Sequence, residues 1–332
     1  MGKYFSFFEQ ISLYSNILYT LISSIRFRTR VKLTLVKEVN ILTKSDYMAE
    51  KILKEVNILK SKKILHPDDS VENVLLNHGE TKEWADVFWR RRYQHENRSD
   101  PEIDLVFETS PTSVLEIGTG YGRILKKLDK ERQRKKLSTK LFGIERCKHM
   151  ESYFLLFKKQ QPSLSDVEIY YENFFRSKQF RKRKFDVIVL PMNTFPSFHS
   201  KLDLLFRTVK NYLSEDGLFI FTSYKIPQNR TKEERRKGKY SGELLVEEEK
   251  KPILLEAFRF TETEGPYGIE TVTYLIYYRF FEYYSIHKKY IYRLEHFVPQ
   301  KNQIEKIITE NGYKVKFFND ESHSLVFGCQ TI

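Results

Sequence analysis

Cysteine is scarce in this sequence, and its two cysteines lie far apart. Cys147 and Cys329 are the cysteines of a 332-residue chain, and no CxxC motif is present. This pattern excludes a disulfide framework and a cysteine-based zinc site, and it favours a reducing compartment. We therefore expect a cytoplasmic protein, and we expect no metal site.

The sequence also lacks a long uninterrupted apolar run. Residues 5–25 come nearest to one, but Glu9, Gln10 and Asn16 interrupt them, which argues against a membrane-spanning helix. Basic residues follow this segment instead of preceding it, the wrong order for a secretory signal. Its apolar residues recur every three or four positions and predict one helical face. That face either packs inside the protein or an oligomer, or makes peripheral contact with a membrane surface.

Acidic residues are too few to balance the basic ones. The chain has 57 Lys and Arg against 44 Asp and Glu, a formal net charge of +13. Such an excess permits binding to RNA, to an anionic membrane or to an acidic substrate, and it is equally compatible with a solvated surface. Basic residues concentrate in 123–140, 176–184 and 225–239, where they could follow a line of phosphates. No separate RNA-binding motif is evident, so RNA stays an alternative partner.

Proline is absent up to residue 65, and glycine is absent there after Gly2. This absence and the apolar spacing predict a helical N-terminal extension over residues 1–100, broken at 66–70. From about residue 102, short apolar runs alternate with helical stretches, which predicts a parallel sheet with helices on both faces. The five predicted strands are VLEIG (114–118), LFGIE (141–145), VEIYY (167–171), FDVIVLP (185–191) and GLFIFTSY (217–224).

The second half of the chain has a different texture. Residues 225–250 are highly charged and predict a loop or an exposed helix, and residues 253–298 alternate with a period of two, typical of antiparallel strands. A helix over 299–310 and strands over 313–318 and 322–329 follow. We therefore divide the chain into an N-terminal extension (1–100), a core (101–224), an antiparallel insert with its charged loop (225–298) and a closing segment of the core (299–332).

A glycine-rich turn follows the first predicted strand, within VLEIGTGYGRILKK (114–127). We call residues 118–122 the glycine loop. Glycine lets the backbone turn sharply and approach a ligand closely, and the helix that follows offers free N–H groups and a positive dipole end. The third glycine comes one position too early for the GxGxxG pattern of dinucleotide sites. Glu145 ends the second predicted strand, where a carboxylate can accept both hydroxyls of a ribose.

The ExGxGxG motif, the acid at the end of the second strand and the order of five strands resemble the class I S-adenosylmethionine-dependent methyltransferases. The likeness covers residues 102–224 and 299–329. It implies a Rossmann-like seven-stranded sheet whose last strand inserts antiparallel, with S-adenosyl-L-methionine as cofactor. It further implies that Glu116 lies near the methionine amino end, and that Gly118, Thr119, Gly120 and Gly122 shape the floor under the cofactor.

The same resemblance implies the roles of residues farther along the sheet. Glu145 would hold the ribose, and Arg146 would pack beside the adenine. Asn173 stands where the family usually has an aspartate facing the adenine amine, and its side-chain carbonyl still offers an acceptor. Phe174 would contact the ring, or would pack in the core instead.

The acceptor side is less determined by sequence. The segment LPMNTFPSF (190–198) resembles loops of small-molecule methyltransferases and lacks the (N/D)PP(Y/F) signature of enzymes that methylate base amino groups. Pro191 would border the cofactor, and Asn193, Tyr224 and His296 are candidate catalytic residues near the acceptor. The expected activity is in-line methyl transfer to a small-molecule acceptor. The alternatives are an RNA methyltransferase, for example one acting on tRNA, and a non-catalytic cofactor-binding protein.

Overall fold

The computed structural model describes residues 100–191, 194–225, 238–246, 249–265, 268–280, 286–321 and 324–332, together with 56, 57, 59–61, 67, 74, 75, 82 and 85. Side chains at 74, 75, 199, 200, 224 and in the strands from 238 to 296 lie outside this description. The chain divides into two compact units, Met1–Glu72 and Asn73–Ile332. Nearly all of the predicted N-terminal extension, including the amphipathic segment 5–25, lies outside the described residues.

The described strands form two sheets. In chain order they are β1 (Val74–Leu75), β2 (Ser113–Ile117), β3 (Lys140–Glu145), β4 (Glu168–Tyr171), β5 (Phe185–Leu190), β6 (Leu213–Tyr224), β7 (Gly238–Val246), β8 (Glu249–Gly265), β9 (Gly268–Phe280), β10 (Ile286–Val298), β11 (Tyr313–Asp320) and β12 (Ser324–Thr331). The helices are α1 (Glu102–Val106), α2 (Arg123–Arg134), α3 (Met150–Gln160), α4 (Leu202–Tyr212) and α5 (Lys301–Glu310).

The larger sheet has seven strands in the order β11-β12-β6-β5-β2-β3-β4. Strands β2 to β6 pair in parallel, and β12 lies between β6 and β11, antiparallel to both. The predicted mixed seven-stranded sheet, with its antiparallel last strand, is confirmed. Because the carboxyl ends of the parallel strands meet at one edge, the residues that follow β2, β3, β4 and β5 converge there.

Both faces of the sheet are buried at its central strands β2, β3 and β5, as their apolar sequences predict. In β5, Val187 to Leu190 are fully buried and alternate between two hydrophobic clusters. One cluster contains apolar residues of α1, α2 and α3, and the other contains those of α4 and α5. The helices thus cover the two faces, and the predicted Rossmann-like architecture is confirmed.

The second sheet corrects the prediction in two places. It has five strands in the order β1-β10-β9-β8-β7. Residues 225–250 were predicted to be a loop or exposed helix, but β7 occupies Gly238–Val246 and pairs antiparallel with β8. Residues near 74 were predicted to be helical, but β1 pairs with Ile291 and Tyr292 of β10. In both places the backbone hydrogen bonds come from a partner strand that local periodicity does not reveal.

Within the described residues, no helix has the length and apolar character needed to cross a bilayer.

Candidate functional site

The glycine loop lies at the carboxyl edge of the seven-stranded sheet, between β2 and α2. Gly118, Gly120 and Gly122 have φ angles of +75°, +57° and +90°, a region that side chains disfavour. The N–H groups of Gly118 and Thr119 donate to the Ile144 carbonyl at 2.9 and 3.3 Å. The loop is therefore fixed against the end of β3, with its backbone facing the edge where ligands bind in this kind of sheet.

Glu145 joins the glycine loop to the segment after β3. Its Oε2 accepts the Gly120 N–H at 2.7 Å, and its Oε1 accepts the Cys147 N–H at 2.8 Å. Burial raises the pKa of Glu145, and the two backbone N–H groups oppose that rise. Each carboxylate oxygen can accept a second hydrogen bond, so Glu145 has capacity for ligand hydroxyls at the carboxyl edge.

Glu116 is the second acid of the edge, and it is 1% exposed. Its Oε2 has no hydrogen-bond partner in the part of the chain that the structure describes. Burial raises the pKa of Glu116 well above its ordinary value; the charge of Arg123 lowers it, and those of Glu145 and Glu102 raise it. A buried acceptor without a partner calls for an explanation, and a bound ligand is one of the common ones.

A buried ion cluster lies directly behind the glycine loop. Arg123, the first residue of α2, donates from Nη1 and Nη2 to the two carboxylate oxygens of Asp100 at 2.6 and 2.7 Å. Lys127, one turn later, donates to Asp100 at 2.5 Å. The side chains of Arg123 and Asp100 are 5% and 3% exposed. This bidentate pair fixes the start of α2, and hence the end of the glycine loop.

Two glycines set how closely the elements pack around the loop. A Cβ on Gly122 would lie 2.4 Å from Cδ2 of Phe154 in α3, and a Cβ on Gly143 in β3 would lie 2.5 Å from Oγ1 of Thr119. The absence of a side chain at Gly122 therefore allows the Phe154 ring of α3 to pack against the glycine loop. Thr119 is buried and donates through Oγ1 to the Glu116 carbonyl at 3.2 Å.

Residues predicted to lie around an adenine are found after β3 and β4. Arg146 is exposed, and Asn173 Oδ1 accepts the Phe175 N–H at 3.0 Å, which caps the 3-10 helix Phe174–Arg176. Phe174 is buried and contacts the rings of Phe175 and Tyr212. Asn173 and Phe174 therefore have structural contacts of their own. Both residues follow β4, so they lie at the carboxyl edge of the sheet.

The acceptor side is described only in part. Pro191 is buried after β5, and its carbonyl accepts the Thr194 N–H at 3.1 Å and the Thr194 hydroxyl at 2.7 Å. Asn193 lies outside the described residues, as do the side chains of Tyr224 and His296. The backbone places Tyr224 at the end of β6 and His296 two residues before the end of β10.

Three residues of this edge escape sequence analysis. Asp100 lies at the end of the predicted N-terminal extension, and Gly143 lies within the predicted strand 141–145, and neither is singled out there. A glycine inside a strand often marks a close approach of another chain segment, and that signal would have identified Gly143. Tyr171, at the end of β4, pairs in register with Glu145, and its buried hydroxyl has no partner among the described groups. No local pattern distinguishes Tyr171 from a packing tyrosine.

No protein-family model matches the chain, and no curated protein has a significantly similar sequence. Solved structures do resemble it. The sugar N-methyltransferase KedS8 from Streptoalloteichus sp. aligns over 77% of this chain and 95% of its own, with a TM-score of 0.54 and 12% identity. The CcbJ methyltransferase from Streptomyces caelestis aligns over 69% and 87%, with a TM-score of 0.52 and 13% identity.

A third similar structure is an S-adenosylmethionine-dependent methyltransferase from Clostridium acetobutylicum. It aligns over 84% of this chain and 98% of its own, with a TM-score of 0.50 and 15% identity. At these identities the likeness establishes the fold. The chain has the mixed seven-stranded fold of the class I S-adenosylmethionine-dependent methyltransferases.

Proposed function

We propose that the protein is an S-adenosyl-L-methionine-dependent methyltransferase acting on a small-molecule acceptor. The observation that carries this proposal is the convergence of the glycine loop, Glu145 and Glu116 at one edge of the sheet. A nucleoside with a cationic amino-acid end is the ligand that this set of groups matches.

The residues at the edge fit such a cofactor on three counts. Glu145 keeps acceptor capacity for two ribose hydroxyls, and the glycine loop offers a backbone surface without side chains. The unpartnered Oε2 of the buried Glu116 suits an ammonium group, because a buried carboxylate is costly unless it is paired. Arg146, Asn173 and Phe174 would border the adenine, and Pro191 would border the sulfonium end.

The cofactor supplies an electrophilic methyl group, so the chain itself has to orient the acceptor and exclude water. The glycine loop and Glu145 would fix the nucleoside, and Glu116 would fix its amino-acid end. A neutral amine acceptor needs no strong base, whereas a hydroxyl acceptor needs one. We keep Asn193, Tyr224 and His296 as candidates for positioning or deprotonating the acceptor.

The antiparallel insert supports a small-molecule acceptor. Its strand β10 reaches the core at Phe297, whose ring lies 5.5 Å from that of Phe195 in the 3-10 helix Phe195–Lys201 after β5. The insert thereby meets the segment that follows β5 at the carboxyl edge, where it can shape an acceptor pocket. KedS8, a sugar N-methyltransferase, has this overall fold, which makes an amine of a sugar-sized molecule a reasonable first class to test.

RNA methylation is the second candidate, and the structure weakens its main support. Two arginines of the basic stretch 123–140 are buried in ion pairs: Arg123 with Asp100, and Arg132 with Asp129 and Asp166. Charges used in this way are not available to phosphates. In the stretch 176–184, Arg183 lies over the Phe142 ring, 4.5 Å from its centre.

Transfer of a tritiated methyl group from the cofactor into cell-extract fractions tests the proposal. We expect label in the small-molecule fraction with the wild-type protein and none with Glu145→Ala. Label in the RNA fraction would favour the second candidate. Cofactor binding without label in any fraction would contradict the enzyme assignment and support a non-catalytic binding protein.

A further inference from the structure

The buried cluster of Asp100, Arg123 and Lys127 fixes the start of α2, and the proposed function assigns it no ligand contact. It lies behind the glycine loop, and its central guanidinium is held on both nitrogens by one carboxylate. Glu116 has a buried oxygen without a partner among the described groups, and of the charged groups that act on Glu116, Arg123 has the largest effect. Glu145 and Glu102 act on Glu116 in the opposite sense.

We propose that Arg123, held in place by Asp100, is a positioning residue that favours the ionised form of Glu116, the form that receives the ammonium group of the bound cofactor. This inference rests on the proposed function, since it concerns the same ligand. Arg123 touches neither reacting atom; it acts through the charge of Glu116.

The geometry gives this role a physical basis. Burial favours the protonated form of Glu116, and the charges of Glu145 and Glu102 add to that tendency, whereas the charge of Arg123 and a hydrogen bond from the Leu125 backbone oppose it. A fixed cation nearby opposes that tendency without occupying the binding position of the ligand. Asp100 holds the cation and also reduces its effect by its own negative charge, so the two residues influence Glu116 in opposite directions.

Removing the positive charge of Arg123 and removing the negative charge of Asp100 should therefore shift the pH dependence of ligand affinity in opposite directions. A cationic ligand binds the ionised form of Glu116, so its affinity rises as pH increases through the pKa of that group. Arg123→Met removes the cation, raises that pKa further and moves the rise in affinity to higher pH, by about one pH unit. Asp100→Asn leaves Arg123 less neutralised and moves the rise to lower pH.

The test is calorimetric titration between about pH 6 and about pH 9 with two probes. S-adenosylhomocysteine carries the α-ammonium group, and 5′-methylthioadenosine has the same nucleoside without it. We expect the two variants to shift the S-adenosylhomocysteine profile in opposite directions and to leave the 5′-methylthioadenosine affinity flat with pH. A merely structural role would weaken both probes together and shift neither profile.

Matched variants keep the test open if a substitution impairs folding. Arg132→Met removes another buried guanidinium, from the far end of α2, and should not shift the profile. Arg123→Lys keeps the positive charge and should give the wild-type pH profile. Lys127 is partly exposed and also pairs with Asp100, so Lys127→Met should give a smaller shift to higher pH.

Two outcomes would overturn the inference, and they are distinguishable. If the wild type binds both probes but Arg123→Met and Asp100→Asn shift the profile in the same direction or not at all, the positioning role is wrong and the proposed function stands. If the wild type binds neither probe, the proposed function fails and the inference fails with it.

Discussion

Gly143 controls the distance between β3 and the glycine loop. A methyl group there would lie 2.5 Å from Thr119 Oγ1 and 2.9 Å from Leu125 Cδ1. We expect Gly143→Ala to lower the free energy of unfolding by about 1–3 kcal/mol and to weaken cofactor binding, because Thr119 and the loop must move. Urea denaturation and calorimetry measure the two effects.

A second substitution shows whether Thr119 transmits the Gly143 effect. Thr119→Ala removes two of the three contacts that the new methyl group would meet, so the double variant should lose less stability than the sum of the single ones. Gly328→Ala in β12 is a matched control, since its methyl group would meet Phe317 no closer than 3.2 Å. Additive losses, or equal effects of Gly328→Ala on binding, would contradict this account.

Because of Glu116, we expect the free energy of unfolding to fall as pH rises. Burial raises its pKa well above the unfolded value, and Arg123 opposes the rise without cancelling it. The folded state therefore binds a proton more tightly than the unfolded state, so the acid destabilises the fold as pH increases from the unfolded pKa through the folded one. Glu116→Gln should be more stable than wild type at about pH 8, with a smaller gain at about pH 5, while losing cofactor affinity.

Asp186 is the control for the Glu116 experiment, because its effect on the free energy of unfolding depends on pH in the opposite sense. Burial raises the pKa of Asp186, but hydrogen bonds from Thr112 and Ser113 outweigh this and lower it overall. Its contribution to stability is present above about pH 4 and is lost as pH falls through its folded pKa. Asp186→Asn should thus leave the slope between about pH 5 and pH 8 unchanged. An unchanged slope in Glu116→Gln would contradict the assignment of that slope to Glu116.

Residues of the site differ in how visible they are in the sequence. Glu116, the glycine loop and Glu145 follow strands directly, so one local pattern places them at one edge. Asp100 and Arg123 are separated by 23 positions and meet through tertiary packing, which no local pattern encodes. The same holds for Gly143, whose neighbour Thr119 belongs to a different element.

At the scale of elements, burial decides which ones the sequence reveals. The central strands β2, β3 and β5 are mostly apolar because both of their faces are covered, and the predicted bounds of the five parallel strands agree with the structure within a few residues. β7 is different: its sequence GKYSGELLV contains two glycines and several polar residues. It forms because β8 supplies a pairing edge, and such long-range pairing overrides weak local preference.

The 3-10 helix after β5 depends on one aromatic side chain. Phe195 is fully buried and stacks on Phe221 of β6 with ring centres 4.2 Å apart. We expect Phe195→Ala to cost about 3–5 kcal/mol of stability. Phe198 in the same helix is only partly buried and contacts Phe175 edge to face, so Phe198→Ala should cost clearly less. Similar losses in urea denaturation would contradict the central place given to Phe195.

For the molecule as a whole, the net charge of +13 is the feature most open to misreading. Several of the arginines in the basic stretches are buried or paired within the fold. We expect weak tRNA binding, about 10⁻⁵ M or weaker at about 0.15 M salt, typical of non-specific contact. Filter binding over a range of salt concentrations measures it. Nanomolar affinity with a steep salt dependence would instead indicate an RNA substrate.

Calorimetric titration of S-adenosyl-L-methionine and S-adenosylhomocysteine into the wild type and two variants tests most directly whether the carboxyl edge of the seven-stranded sheet binds the cofactor. Glu145→Ala removes the acid at the carboxyl end of β3. Glu168→Ala removes an exposed acid at the amino end of the neighbouring β4, on the opposite edge of the sheet. We expect binding in about the micromolar range by wild type and Glu168→Ala, and its loss in Glu145→Ala. No binding by the wild type, or equal binding by Glu145→Ala, would contradict cofactor binding at this edge.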